Sequence, residues 1–276
     1  MITKIKFDSI NSEVQKAVSE IYSELKKLNP EGYIMFLADC EYEKRYDNKT
    51  TRFSPYVLDY VADKLKDQSR ITFLTSFLQM FYSFPPEKDD IDNNELRLQM
   101  ELMVYTHIWE SKAFLKDLFR LSHLLNGENY DWKVKVPDMT KHDFIRNEVR
   151  AYFLKSKKVK SIGDIMTKGY HSSLRNAFAH SEYSFDTMNK NQRIILHNYK
   201  GKDSWELKLI TFDDWSLRFV YSALLNYYIL KEKLSRRQNI ITDFGMDIFE
   251  IPFPPKAQRV KIQYHKTKDS FNYVRS

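Results

Sequence analysis

Only six glycines occur in the chain, Gly32, Gly127, Gly163, Gly169, Gly201 and Gly245, and the closest two stand six positions apart. Dinucleotide fingerprints need glycines two and three apart and a P-loop needs a pair five apart, because only glycine lets the backbone close around phosphates. Neither spacing exists here, and the GxSxG elbow and the HExxH zinc motif are missing as well. The single cysteine, Cys40, excludes an internal disulfide and a Cys-based zinc cage, so the reducing cytoplasm is the expected compartment. A carboxylate-bridged metal site in a helix bundle wants two Glu-x-x-His pairs. His107 and Glu110 run in the opposite order, and no metal or cofactor is expected. The most apolar stretches, Ile71 to Phe84 and Leu217 to Leu230, are broken by Thr75, Ser76 and Gln79 and by Arg218 and Asn226. They fall short of the roughly 18 to 20 apolar residues of a membrane span. The N-terminal MITKIKFDSINSEVQK has no apolar h-region and reads as mature protein rather than signal, so no membrane partner is expected.

What is present is charge and aromatic mass. The 44 Lys+Arg against 37 Asp+Glu leave a net +7, which makes a polyanion the more natural partner. Hydrophobic residues at 42% and aromatics at 15% are too many for a disordered chain. At about 150 residues per domain, the length allows one large domain or two small ones.

Helical periodicity dominates the first two thirds. Ser12 and Gln15 suggest a capping box before Val14, Val18, Ile21, Leu25 and Leu28, with a stop at Asn29-Pro30. Ser54-Pro55 predicts a helix start before Val57, Leu58, Val61 and Leu65, and the run from about Ile71 to Pro85 predicts a core helix. After an acidic linker, Glu87 to Asp92, one apolar pattern from about Asn94 to Leu125 predicts a spine helix roughly 50 Å long. Thr140 and Asp143 open a further helix. Between Lys133 and Lys160 nine Lys/Arg face three Asp/Glu, and Lys155, Lys157, Lys158 and Lys160 are candidate RNA-binding residues, against a solvated basic face. Beyond Tyr183 the period shortens, and Arg193 to His197 and Trp205 to Ile210 predict a β-hairpin around Gly201. Thr211 and Asp214 cap a last helix to about Leu234, and the proline-bearing basic end predicts an extended tail.

One short helix carries the chemistry. Advancing about 100° per residue from Leu174 puts Ala177 and Phe178 on its stripe. Asn176 falls at about 200°, His180 at about 240° and Ser173 at about 260°, on the side away from the core, with Arg175 at about 100° flanking it. An imidazole there can titrate near neutral pH, and a guanidinium with an amide can hold a phosphate. The plain reading is a helix-terminal His180 and a structural ion pair at Arg175.

The order Arg175-Asn176-Ala177-Phe178-Ala179-His180, after a helix with Trp109-Glu110-Ser111-Lys112 and before a hairpin and a closing helix, resembles the HEPN domain family. That family's motif is Arg, four to six residues, then His, often with Asn after the Arg. The likeness covers about residues 94 to 235 and leaves the first ninety and the tail unexplained. It implies a mainly α fold, a HEPN-like helical bundle with a long spine helix and a small β-hairpin before the last helix. The corresponding division is an N-terminal helical region at 1–90, the HEPN-like domain at 91–237 and a basic tail at 238–276. It further implies a homodimer acting as a metal-independent endoribonuclease on single-stranded RNA, in a toxin–antitoxin or anti-phage defence system with an antitoxin or defence partner protein. Arg175 and His180 would be the catalytic pair, Asn176 their support and Glu110 an additional site residue. A non-catalytic HEPN-like module that binds RNA, a nucleotide or a protein is the alternative. One subgroup carries tyrosine two residues after the His; here that position is Glu182 and Tyr183 comes one late, so nucleotidyl modification of that tyrosine is not implied.

Overall fold

The computed structural model describes residues 2–47, 54–85, 90–91, 94–156, 158–188, 191–202, 206–254 and 258–274, with 61–63 in backbone only. Lys157, Trp205 and most of the 87–92 linker lie outside the described residues. The described chain is mainly helical with small antiparallel sheets.

Helix α1 (Lys4–Leu28) begins before Ser12, because Thr3 is a working cap whose hydroxyl accepts from the Lys6 N–H at 3.3 Å. Its stripe of Val14, Val18, Ile21 and Leu25 is buried as the spacing predicts, while Leu28 at its end is exposed. Asn29 then caps α2 (Pro30–Leu37), accepting from the Gly32 N–H at 2.8 Å.

The spine is α10 (Phe212–Gln238), about 40 Å long, against which α1, α3 (Val61–Phe81), α4 (Glu95–Glu110) and α8 (Lys160–Gly169) all pack. The spine expected from Asn94 to Leu125 is two helices, α4 and α5 (Lys112–Leu124). Ser111 breaks it: its ψ of 108° leaves the helix, and its hydroxyl caps the Phe114 N–H at 3.3 Å. The apolar spacing continues through the break, so periodicity alone joins the two.

Three other expectations change. Tyr56–Val57 (β2) pairs with Glu41–Tyr42 (β1) instead of opening a helix, with the Tyr56 ring edge-on to Trp132 and Phe253. Helix α3 buries Leu74 and Phe77 but leaves Phe73 49% and Met80 71% exposed, so it is an outer helix, not a core one. The C-terminal segment folds after α11 (Ile240–Phe244) into a meander, β6 (Ile248–Phe253), β7 (Gln258–His265) and β8 (Ser270–Tyr273), rather than an open tail. Phe249, Ile251, Ile262 and Tyr264 alternate into its buried face, and Pro252 is tolerated because β6 is an edge strand.

The expected hairpin is β4 (Arg193–Leu196) with β5 (Leu209–Thr211), and β3 (Tyr183–Asp186) adds a third strand along β4. Residues of all three predicted segments share one hydrophobic cluster. Two buried cations on α10 tie it together. Lys233 lies 2.5 Å from Asp39, 3.0 Å from Asp117 and 3.9 Å from Asp67, and Arg237 pairs with Asp59 and Asp269.

Candidate functional site

Helix α9 (Ser172–Ala179) packs on α4 through Leu174, Ala177 and Phe178, the last edge-on to Tyr105 and Trp215. Asn176 is half-buried and His180 exposed, as the wheel predicts. Ser173 departs from it and is buried. The Asn198 amide donates to its carbonyl at 2.9 Å and the Leu207 N–H to its hydroxyl at 3.3 Å, so Asn198 and Leu207 cover that end.

The helix stops at His180 by a Schellman arrangement. The Ser181 N–H donates to the Phe178 carbonyl at 3.3 Å and the Glu182 N–H to the Ala177 carbonyl at 2.8 Å. Ser181 takes the left-handed conformation this requires, with φ of 56°, where glycine would sit without strain. His180 therefore occupies the exposed C-terminal cap of α9, which is also where the plain reading puts it.

Arg175 turns toward α4. Its Nη1 lies 2.9 Å from Oε1 of Glu110, while the Lys141 ammonium, from α6 (Lys141–Asp143), bonds the other carboxylate oxygen. Among the described residues, Arg175 Nε and the Tyr170 hydroxyl are buried with no other partner within ordinary hydrogen-bond geometry, and they lie close enough to act on each other. Burial pushes the Tyr170 phenol up to about 12, opposed by the neighbouring Arg175 guanidinium. Arg150, from the π-helical stretch Phe144–Arg150 that extends α6, acts on the Tyr170 phenol. Burial and Arg146 both lower the affinity of Arg150 for a proton, and Tyr170 partly offsets them. Two cations thus hold one carboxylate, and a third, Arg150, acts on the neutral phenol beside them, an arrangement that can take an anion.

The sequence reading singled out Arg175 and Glu110, and the structure brings them into contact. Lys141, Arg150 and Tyr170 it missed. Lys141 and Arg150 fall inside the basic 133–160 segment, but no motif distinguishes them from their neighbours, and only tertiary packing selects the two. The lysines chosen there lie elsewhere. Lys155, at the end of α7 (Ala151–Lys155), sits over the Tyr152 ring, fourteen residues or about 20 Å along the helix from Lys141. Lys158 pairs with Glu24 at 3.3 Å and Lys160 with Asp164 at 2.9 Å, so both resemble a solvated face, and Lys157 is outside the described residues. His107 and Glu110 line a common cleft, but among the described residues no group of three His, Cys, Asp or Glu could hold a metal ion.

His171 was also overlooked. It caps α9, its Nδ1 accepting from the Ser173 N–H at 3.2 Å, and burial with the charges of Arg218 and Arg150 pushes its pKa down to about 4. The ring is neutral at pH 7 and acts as an acceptor. Because the unfolded chain binds this proton from about pH 6.5 and the folded one only near 4, the stability it confers is complete above pH 6.5 and is lost as pH falls toward 4. The loss is at most about 3 kcal/mol. His171→Asn keeps a capping side chain, so the difference in unfolding free energy between wild type and variant should shift in the variant's favour between pH 7 and pH 4.5. A difference that stays flat over this range refutes a neutral, buried His171.

The chain matches no family model, no curated protein and no solved structure.

Proposed function

We propose that the protein is a HEPN-type endoribonuclease that cleaves single-stranded RNA without a metal, as a homodimer, in a toxin–antitoxin or anti-phage setting with a cognate antitoxin or defence partner. The observation that carries this reading is the pair of cations, Arg175 and Lys141, on the single carboxylate of Glu110, with Arg150 acting on the neighbouring Tyr170, at the root of a helix whose exposed end is His180. A scissile phosphate held there would meet the Arg175 guanidinium, and Glu110 would keep that guanidinium oriented.

In the reaction the ribose 2′-oxygen attacks the adjacent phosphorus and the bond to the 5′-oxygen breaks. One imidazole takes the 2′-hydroxyl proton and a second protonates the leaving oxygen, giving a 2′,3′-cyclic phosphate and a free 5′-hydroxyl. Arg175 and His180 stand five residues apart on α9, about 7.5 Å along and about 140° round the helix. This divergence favours a site completed by a second subunit, which would supply the other imidazole. The outer face of α4 beside α9 supports such a pairing, since Leu96 and Met103, seven residues apart, are 67% and 71% exposed.

Purified protein should cut single-stranded RNA equally well with and without EDTA, leave a cyclic phosphate, and spare RNA carrying a 2′-deoxy sugar at the scissile nucleotide. Light scattering on the same preparation should give about twice 33.2 kDa. Cleavage that stops with EDTA, or that ignores the 2′-deoxy sugar, overturns the mechanism. The second reading, a non-catalytic binding module, is favoured by the ion pair between Arg175 and Glu110, which occupies part of the guanidinium.

A further inference from the structure

A cleft of about 510 Å³ opens where α3 faces the break between α4 and α5. Its walls carry Lys66 and Arg70 from α3, Lys112 and Lys116 from α5, and His107 and Glu110 from α4. Four cations thus face one carboxylate, and that carboxylate is already matched by Arg175 and Lys141. None of the four is without a partner: Lys66 has one, and Arg70 pairs with Asp67 at 3.2 Å, Lys116 with Glu41 at 3.1 Å and Lys112 with Asp138. The last pair is solvent-exposed on both sides and yields readily to a competing anion.

Three features fix the chemistry of an occupant. Each pair of cations is spaced i,i+4, with Cβ atoms about 5–6 Å apart, so each can follow neighbouring phosphates of one strand. The Ser111 break turns the N-terminus of α5 into the cleft, with Ser111 and Ala113 in its lining, and this adds the positive end of a helix to the side-chain charge. Tyr60, at the N-terminus of α3, provides an aromatic ring on the same wall, which a base can stack on. The volume lies within the roughly 300–1,000 Å³ of small-ligand sites, room for about one nucleotide unit.

We propose that this cleft binds a phosphate-bearing nucleotide of single-stranded RNA and leads the strand to Glu110 and Arg175, rather than the Lys155 to Lys160 segment doing so. It rests on the endoribonuclease reading for the choice of RNA, and its own prediction concerns binding alone. Glu110 is the shared wall: it faces the cleft and holds the guanidinium and ammonium of the adjoining site.

The test is fluorescence anisotropy with a labelled single-stranded 2′-O-methyl RNA oligonucleotide, which cannot be cleaved, over a range of KCl concentrations. Lys66 and Lys112 are exposed, so the double variant Lys66→Ala/Lys112→Ala should keep the wild-type melting curve. It should bind about tenfold more weakly at low salt, and the slope of log affinity against log salt should fall by about 1.4, two contacts at about 0.7 each. Lys155→Ala/Lys158→Ala should leave the slope nearly unchanged. An unchanged slope in the cleft variant, or no binding by the wild type, overturns the inference. If 5′-AMP binding is lost in the cleft variant while oligonucleotide binding is not, the cleft takes a free nucleotide and the RNA path is wrong. Cleavage is scored separately on unmodified RNA. A slope change without cleavage by the wild type counts against the endoribonuclease and leaves the cleft standing, and cleavage without a slope change does the reverse.

Discussion

Lys233→Met is expected to destabilise the protein by about 3–5 kcal/mol, a large part of the 5–15 kcal/mol by which a typical domain is stable. Lys233 is 5% exposed and faces Asp39, Asp117 and Asp67, so its removal takes the closest cation from all three and leaves Asp39 and Asp67 with only Arg237 at 3.9 Å and Arg70 at 3.2 Å. Burial already pushes the Asp67 carboxyl up to about 7 and raises that of Asp117, with Lys233 as the main opposing charge in both. Adding Asp117→Asn to Lys233→Met should recover part of the loss, because it removes one of the stranded charges. Urea denaturation of the two variants measures both effects. A change below about 1 kcal/mol for Lys233→Met would mean that water solvates these carboxylates and that the network is not a buried one. The result bears on function as well. Asp67 of α3 also pairs with Arg70, and Asp117 belongs to α5, so the same lysine holds both walls of the cleft in place.

His180→Ala should lower RNA cleavage by about 10²–10⁴, the usual contribution of a positioned proton-transfer group. Its stability should stay within about 0.5 kcal/mol of wild type, since the side chain is exposed and the backbone N–H to the Asn176 carbonyl remains. Arg175→Ala should cost about 10²–10³ in rate, comparable to deleting one oxyanion donor, and unlike His180→Ala it should also lower the melting temperature. It removes one of the two cations on Glu110 and opens space beside the buried Tyr170. Glu110→Gln separates orientation from charge: it keeps the shape but loses the carboxylate that holds Arg175, so a positioning role predicts a smaller loss than Arg175→Ala. Equal cleavage by wild type and His180→Ala would remove the catalytic assignment and leave the binding module in its place.

Much of the helical frame was legible because burial imposes a period. The Val14 to Leu25 stripe, the stop at Asn29-Pro30, the Leu174, Ala177 and Phe178 face and the Thr211 cap all follow from spacing and from local hydrogen-bonding chemistry. Errors came where a local signal has two outcomes. Ser111 is an unremarkable serine in a continuing apolar pattern, and it breaks the helix because its hydroxyl satisfies the new first turn. Pro55 suits a helix start or a strand approach, and the rings of Trp132 and Phe253 decide for the strand. Apolar α3 lies outside because α10 offers it one side only. The C-terminal strands hid behind prolines that an edge strand accommodates.

The sequence by itself determined that this is a basic, aromatic-rich, mainly helical chain, and that Asn176 and His180 share an outward face while Arg175 flanks it. These properties depend on composition and on the geometry of one helix. Tertiary structure alone decided that Arg175 and Lys141 meet on Glu110, that Arg150 acts on the neighbouring Tyr170, and that Lys66, Arg70, Lys112 and Lys116 line one cleft. Those groups lie on different helices, some consecutive and others, such as α4 and α9, about sixty residues apart. Their meeting depends on how α3, α4, α5 and α9 pack around α10, and no single-helix period encodes the electrostatic partners that such packing brings together.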